Sequence, residues 1–438
     1  LSFDRLGASF RSLARSLENS ELWPLPSRRS FLSCTSLAGL GWLTGLGDML
    51  ARAAEGSRGR EPARSVILLW MAGGPSQLET FDPHPGKSIA GGTTAIRTAN
   101  KEAQLAAGFD RLAEQMADIA LIRSMVSKEG DHERGTYLMK TGYRPDPTVV
   151  HPSLGAICCH ELNPGKTEIP RHISILPSQW PGRGGFLGDE YDAFKTFDPA
   201  EKVPDVESHV PKDRDRRRLD ALDLVDDAFE PRRDLGKTAH RDIVDKARRM
   251  MTSEQLKAFD VKLESSKLRT AYGDTPFGRG CLAARRLIEV GVRCVEVTLD
   301  GWDTHADNHK LQGDRVAVLD PAFGTLLRDL KERKLLEHTV VICAGEFGRT
   351  PAINRVGGRD HWPRGFSIAL AGGGIRGGRV IGETDPEGVQ DPTSPVSVAD
   401  VHATVLSAVG IDPTKVMQTP IGRTLHLSEG KPVEGLLG

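Results

Sequence analysis

Two aspartate–histidine pairs and a strand-end glutamate hold most of the chemistry this chain can do. Asp303 and His305 stand two residues apart after the apolar run 292–299. Glu346 follows the apolar run Thr339–Ala344, and Asp360-His361 comes next, bracketed by Gly357-Gly358 and Pro363. In extended backbone a spacing of two puts both side chains on one face, so Asp303 and His305 can converge on one point. Carboxylate and imidazole together suit Zn, Mn or Fe, whereas Ca and Mg favour oxygen ligands. The expectation is a divalent metal ion, zinc first with Mn, Fe and lastly Ca behind it, held by Asp303, His305, Glu346, Asp360 and His361. Such an ion lowers the pKa of a bound water or neutralises charge on a phosphate or sulfate ester. Four further residues are catalytic candidates. Arg349 can hold a non-bridging ester oxygen. His132 lies in the polar loop 124–133. Ser76, in the turn Gly73-Gly74-Pro75-Ser76, and Thr136, at the expected helix start after His132, are the candidate nucleophiles. Plainer roles stay open for each: Asp303 as a helix cap, Glu346 paired with Arg349, His361 packed on Trp362, and the hydroxyls as turn or cap groups.

These residues need a sheet edge to bring them together. The run Val66-Ile67-Leu68-Leu69-Trp70-Met71 has no alternation, as expected of a strand buried on both faces of a parallel sheet, and it ends in small residues that let another backbone or a ligand approach. Further strands are expected at 119–122, 169–176, 292–299, Thr339–Ala344 and 366–371, and helices at 104–117, 134–140, 152–162 and 277–290. Val316, Leu319, Phe323, Leu326 and Leu330 form a helical stripe that Pro321 should kink, or restart with Asp320 as cap. Ser397-Val398-Ala399-Asp400 has the form of a capping box. Alternation of strand and helix predicts an α/β fold with a mostly parallel central sheet flanked by helices. Chemistry in such folds sits just past the carboxyl ends of the strands, where the loop of His132 should also open. Residues 198–275 break the pattern: they are dense in charge, and their expected form is a helical insertion with solvated faces.

Net charge is −1 over 438 residues, with 27% charged and 38% hydrophobic residues, and no basic stripe interleaved with aromatics points to nucleic acid. The six cysteines include no CxxC pair, which argues against a zinc finger or a disulfide scaffold. Near the beginning, Ser27-Arg28-Arg29-Ser30-Phe31-Leu32 precedes a glycine-rich apolar segment and then Ala51-Arg52-Ala53. This is the order of a twin-arginine signal peptide, residues 1–53, with a single mature domain over 54–438 and a periplasmic or extracellular destination. The apolar segment is too short for a stable membrane span.

The motifs at residues 70–82, Gly301-Trp302-Asp303-Thr304-His305, Gly345-Glu346-Phe347-Gly348-Arg349-Thr350-Pro351 and Gly358-Arg359-Asp360-His361-Trp362-Pro363 resemble those of the exported domain-of-unknown-function family 1501. That family is similar in layout to the alkaline phosphatase and sulfatase superfamily. The resemblance implies metal ligands at strand ends and a hydrolase of phosphate or sulfate esters, on small-molecule or glycan substrates. It also implies an exported cytochrome-like protein as a partner. Three departures stand out. A metal-binding Asp is usual after the first strand, where this chain has Ala72-Gly73-Gly74. Asp-His is usual where it has Glu346-Phe347. The sulfatase nucleophile motif is missing. These departures point to one metal, or to the alternative of a non-catalytic exported binding protein on the same fold.

Overall fold

The computed structural model describes residues 62–229 and 239–438. The expected signal peptide, with its arginine pair and cleavage site, lies outside the described residues, as does Cys34. The strands are β1 (Ser65–Met71), β2 (Ala95–Arg97), β3 (Gln104–Ala106), β4 (Ile119–Val126), β5 (His172–Ile175), β6 (Phe194–Thr196), β7 (Cys294–Leu299), β8 (Thr339–Ala344), β9 (Gly348–Arg349), β10 (His361–Trp362), β11 (Phe366–Gly372), β12 (Val380–Ile381), β13 (Val396–Ser397), β14 (Val416–Gln418) and β15 (Thr424–His426). The α-helices are α1 (Asp110–Glu114), α2 (His132–Thr141), α3 (Leu154–Glu161), α4 (Lys212–Phe229), α5 (Ala239–Thr252), α6 (Ser266–Tyr272), α7 (Pro276–Glu289), α8 (Asn308–Glu332) and α9 (Val398–Ala408).

A nine-stranded sheet runs β12-β4-β11-β8-β1-β7-β5-β6, with β13 also on β4. β1 pairs parallel with β7 and β8, and β5 pairs parallel with β7 and β6. β11 is antiparallel to both β8 and β4, while β12 and β13 are parallel to β4. Every strand of this sheet but β11 therefore points the same way. The period-two alternation of β1 divides two cores. Ile67, Leu69 and Met71 face a layer that includes Leu287 of α7 and Phe323 and Leu326 of α8. Val66 faces the other, with Ile157 of α3 and Val401 and Val405 of α9. The five cysteines among the described residues are free and buried, small core side chains as their apolar surroundings suggest.

Two expectations need correction. Residues 104–117 are not one helix: β3 pairs with β2, and only the short α1 follows. Leu105, Phe109, Leu112 and Met116 are all buried nonetheless, so the apolar spacing marked burial and not helix. Helix α8 runs unbroken through Pro321. Asp320 does not start a helix there. Its carboxylate accepts the backbone N–H groups of Arg111 and Leu112, at 3.1 and 2.8 Å, and so fastens the first turn of α1. The capping box at Ser397 and Asp400 forms and opens α9. Within residues 198–275, α4 is largely exposed, with Leu224 72% exposed, while Glu264 ties the segment back to α7 through Arg285 and Arg286, at 2.8 and 2.6 Å. Among the described residues no helix is long and apolar enough to cross a membrane.

One buried ion pair sets the helix that carries His132 against the strand that leads to Asp303. Lys140, in the last turn of α2, donates to Glu296 of β7 at 3.0 Å and lies over the Trp70 ring. Burial opposes ionisation of Glu296, but the charge of Lys140, with His172 behind it, outweighs burial and holds its carboxyl down at about 2. A depressed folded-state pKa contributes stability that is present above the ordinary carboxyl range and is lost as pH falls from there toward 2. The shift corresponds to about 3 kcal/mol. Equilibrium unfolding measured between pH 6 and pH 2 should lose that amount from this group, and Glu296→Gln should flatten the acid limb correspondingly. An unchanged limb in the variant would remove the assignment.

Candidate metal centre

Four strand ends deliver the candidate residues to one place. After β1 the chain turns through Gly73 and Gly74, both at positive φ, +114° and +73°. The turn is laced to the loop after β7, because Trp302 N–H donates to Ala72 O at 3.2 Å. Trp302 is fully buried and anchors that loop, and Gln312 of α8 holds it from below, donating to Trp302 O and Thr304 Oγ1. Asp303 and His305 follow, roughly half-exposed at 46% and 48%. Past β4, Asp131 caps α2 by accepting Arg134 N–H at 3.1 Å, which places His132 in the first turn. Past β8, Glu346 and Phe347 lead into β9, and β9 pairs with β10 so that Arg349 and His361 are cross-strand partners. Gln77 extends this ladder with a side chain: its Nε2 donates to Arg349 O and its Oε1 accepts Arg349 N–H, at 2.8 and 2.9 Å.

Three imidazoles surround the Asp303 carboxylate. His132 Nε2 lies 3.3 Å from Oδ2, while His305 Nε2 and His361 Nε2 lie 3.1 and 3.4 Å from Oδ1. Ligand atoms of His132, Asp303 and His361 all fall within 4.8 Å of one another. The other ring nitrogen of each histidine faces an acceptor. His132 Nδ1 meets Glu346 Oε1 at 2.6 Å, His305 Nδ1 meets Asp360 Oδ1 at 2.9 Å, and His361 Nδ1 meets the Gly130 carbonyl at 2.7 Å. Each acceptor fixes the proton on Nδ1 and leaves the Nε2 lone pair facing the centre. His305 Nε2 and His361 Nε2 are then 3.1 Å apart, lone pair toward lone pair, and His132 Nε2 is buried without a hydrogen-bond partner. Mutual repulsion of those electron pairs is relieved when a cation lies between them, so the donor set fits a divalent metal ion with borderline-soft preferences.

The protein's own charges act on these groups before any ion is bound. Glu346, through its hydrogen bond, raises the pKa of His132 above the ordinary histidine value. Burial opposes the charge of Asp303, but the hydrogen bond and charge of Arg349, with His132 and His305, outweigh it and hold its pKa below the usual range. Burial lowers His361.

Eight of the nine residues singled out from the sequence thus fall into layers; the ninth, Thr136, is buried within α2. Asp303, His305 and His361 meet at the centre, and His132 joins them. Glu346 and Asp360 stand one layer out, behind His132 and His305. Arg349 is fully buried and donates to Asp303 Oδ1 at 2.6 Å. Ser76 is buried, its backbone N–H donating to Gln312 Oε1 at 3.1 Å and its hydroxyl oxygen without a partner. Among the described residues no serine, threonine or cysteine side chain hydrogen-bonds to the four central side chains. Gly130, Gln77 and Trp302 were not singled out for the site. The Gly130 carbonyl leaves no trace in a sequence, whereas Gln77 and Trp302 stand inside the motifs already quoted.

A family model described as "Protein of unknown function (DUF1501)" matches residues 63–437. Curated proteins yield no match. Among solved structures, alkaline phosphatase from the Antarctic bacterium TAB5 is similar at 11% identity and a TM-score of 0.36, over 81% of this chain and 100% of that one. The PsFucS1 sulfatase from Pseudoalteromonas sp. is similar at 15% identity and 0.35, over 82% and 70%. The lipoteichoic acid synthase LtaP from Listeria monocytogenes is similar at 10% and 0.36, over 80% and 73%.

Proposed function

The chain belongs to the DUF1501 family, and from that premise we propose that it is an exported, metal-dependent hydrolase of phosphate or sulfate esters, acting on small-molecule or glycan substrates at a centre made of His132, Asp303, His305 and His361. The convergence of three Nε2 lone pairs on one carboxylate, each with its Nδ1 proton held by an acceptor, carries this reading. Zinc suits the donors best, with Mn and Fe behind it; a calcium site would be built from oxygen alone. A bound divalent ion supplies Lewis-acid polarisation of an ester oxygen. The chain's own residues do the rest. Glu346, Asp360 and the Gly130 carbonyl orient the three rings and keep each proton on Nδ1. Phe347, whose ring centroid lies 4.5 Å from that of His361 and 5.1 Å from that of His132, keeps water from the buried side. Asp303 and His305 face solvent, which is where an ester would enter.

The absence of a hydroxyl or thiol at the centre, among the described residues, favours a second reading: a binding protein without turnover that engages an exported cytochrome-like partner. Elemental analysis of the purified chain, joined to assays on aryl phosphates and aryl sulfates before and after chelation, separates the two. The hydrolase reading expects about one divalent ion per chain and turnover that disappears on chelation and returns with metal. Bound metal without turnover on either ester class would favour the binding protein, and no metal at all would remove both the centre and the hydrolase.

A further inference from the structure

The buried side of the centre holds a fixed cation. Arg349 is fully buried, and its guanidinium is committed almost entirely to the protein. Nε donates to Gly74 O at 2.8 Å, Nη1 to Arg359 O at 3.1 Å, and Nη2 to both Gly73 O and Asp303 Oδ1. A guanidinium has five N–H donors, and four of Arg349's are spoken for. It is placed to carry charge, not to grip a ligand from several sides. The strand end beside it is closed to side chains. A Cβ on Gly73 would lie 2.4 Å from Asp303 N, and one on Gly74 would lie 2.7 Å from the Phe347 ring. Glu346, whose charge also acts on Arg349, has its Oε1 accepting from His132 and from Gly73 N–H, the latter at 2.9 Å, and its Oε2 buried without a partner. Asp303 is therefore surrounded by three imidazoles and a guanidinium, with Arg349, His305 and His361 all at Oδ1 and His132 at Oδ2. No further ligand side chain can enter from β1 to hold another ion.

We propose that Arg349 is a built-in second cation: it takes the place beside Asp303 that a second metal ion would need, so the centre binds one divalent ion and keeps a permanent positive charge behind it for an anionic group bound at the open face. The proposal rests on the four-residue cluster being a metal centre. It assigns Arg349 as a positioning and charge-supplying residue that acts through Asp303 and the local field, since its own N–H groups face the protein.

The test uses the full chain and two probes, Zn²⁺ and inorganic phosphate. Calorimetric titration and elemental analysis should give one Zn²⁺ per chain, counting only ions lost in His361→Ala. Phosphate should then bind the zinc-loaded protein at least roughly tenfold more weakly in Arg349→Met, and within about threefold of the parent in Arg349→Lys, which keeps the charge but cannot reproduce the four hydrogen bonds. Two Zn²⁺ ions per chain at the cluster would overturn the proposal while leaving the metal centre standing. No bound Zn²⁺ would overturn the centre and the proposal together. Equal weakening by Met and Lys would show that Arg349 matters for its hydrogen bonds and not for its charge, which also overturns it. Should both variants fail to fold, the stoichiometry of the parent protein decides.

Discussion

Replacing His361 by alanine is expected to lower ester turnover by about a thousandfold and to weaken divalent metal binding by more than roughly a hundredfold. His361 has two tasks at once. Its Nε2 faces Asp303 and His305, and its Nδ1 ties the β9–β10 hairpin to Gly130 in the loop after β4. Glu346→Gln makes the graded comparison: it keeps the shape but removes the negative charge behind His132, and a loss of about 10 to 100-fold in metal affinity is expected of such an outer partner. Metal content by elemental analysis and affinity by competition with a chelating dye check both. A His361→Ala protein that is folded, fully metallated and active would show that the convergence of rings has nothing to do with catalysis.

Gly73→Ala is expected to destabilise the fold by roughly 3–5 kcal/mol, although the change adds a single methyl group. Two costs coincide. The residue has φ +114°, and its Cβ would fall 2.4 Å from the backbone N of Asp303, which cannot swing aside as a flexible side chain would. Gly86 provides the control: its φ is +82° but nothing lies within 4 Å of its Cβ position, so Gly86→Ala should cost only about 1 kcal/mol. Denaturant unfolding of the two variants compares them directly. Equal costs would mean that the close approach of the β1 turn to the Asp303 loop is not what requires glycine there.

Much of the scaffold was legible because β1, β7, β8 and β11 are buried on both faces and so are written as unbroken apolar runs. Residues 104–117 were not, since a strand, a turn and one helical turn bury the same four apolar side chains that a helix would. Asp320 was misplaced for a related reason: its partners, Arg111 and Leu112, lie more than 200 residues earlier, with Leu112 at a separation of 208. The site was legible in residue type and less so in layer. Asp303, His305, Glu346, Asp360 and His361 all lie in it, but spacing cannot say which side chain faces the centre and which stands behind a ring. The glycines after β1 announced a close approach; that the approaching group is the Asp303 backbone depends on how β1 and β7 pair.

The position of β1 has a consequence for how the chain comes to be folded. β1 opens the described chain, yet its partners arrive late: Ser65 Oγ bonds Val292 O across 227 residues, and its other neighbour, β8, comes later still. During synthesis this apolar strand must wait, unpaired, until about half of the polypeptide has followed it. Non-local pairing of this kind makes for slow folding, and the waiting segment is open to mispairing with other chains. The final sheet therefore closes around its first strand, and a nascent chain truncated before β7 would hold its future centre exposed.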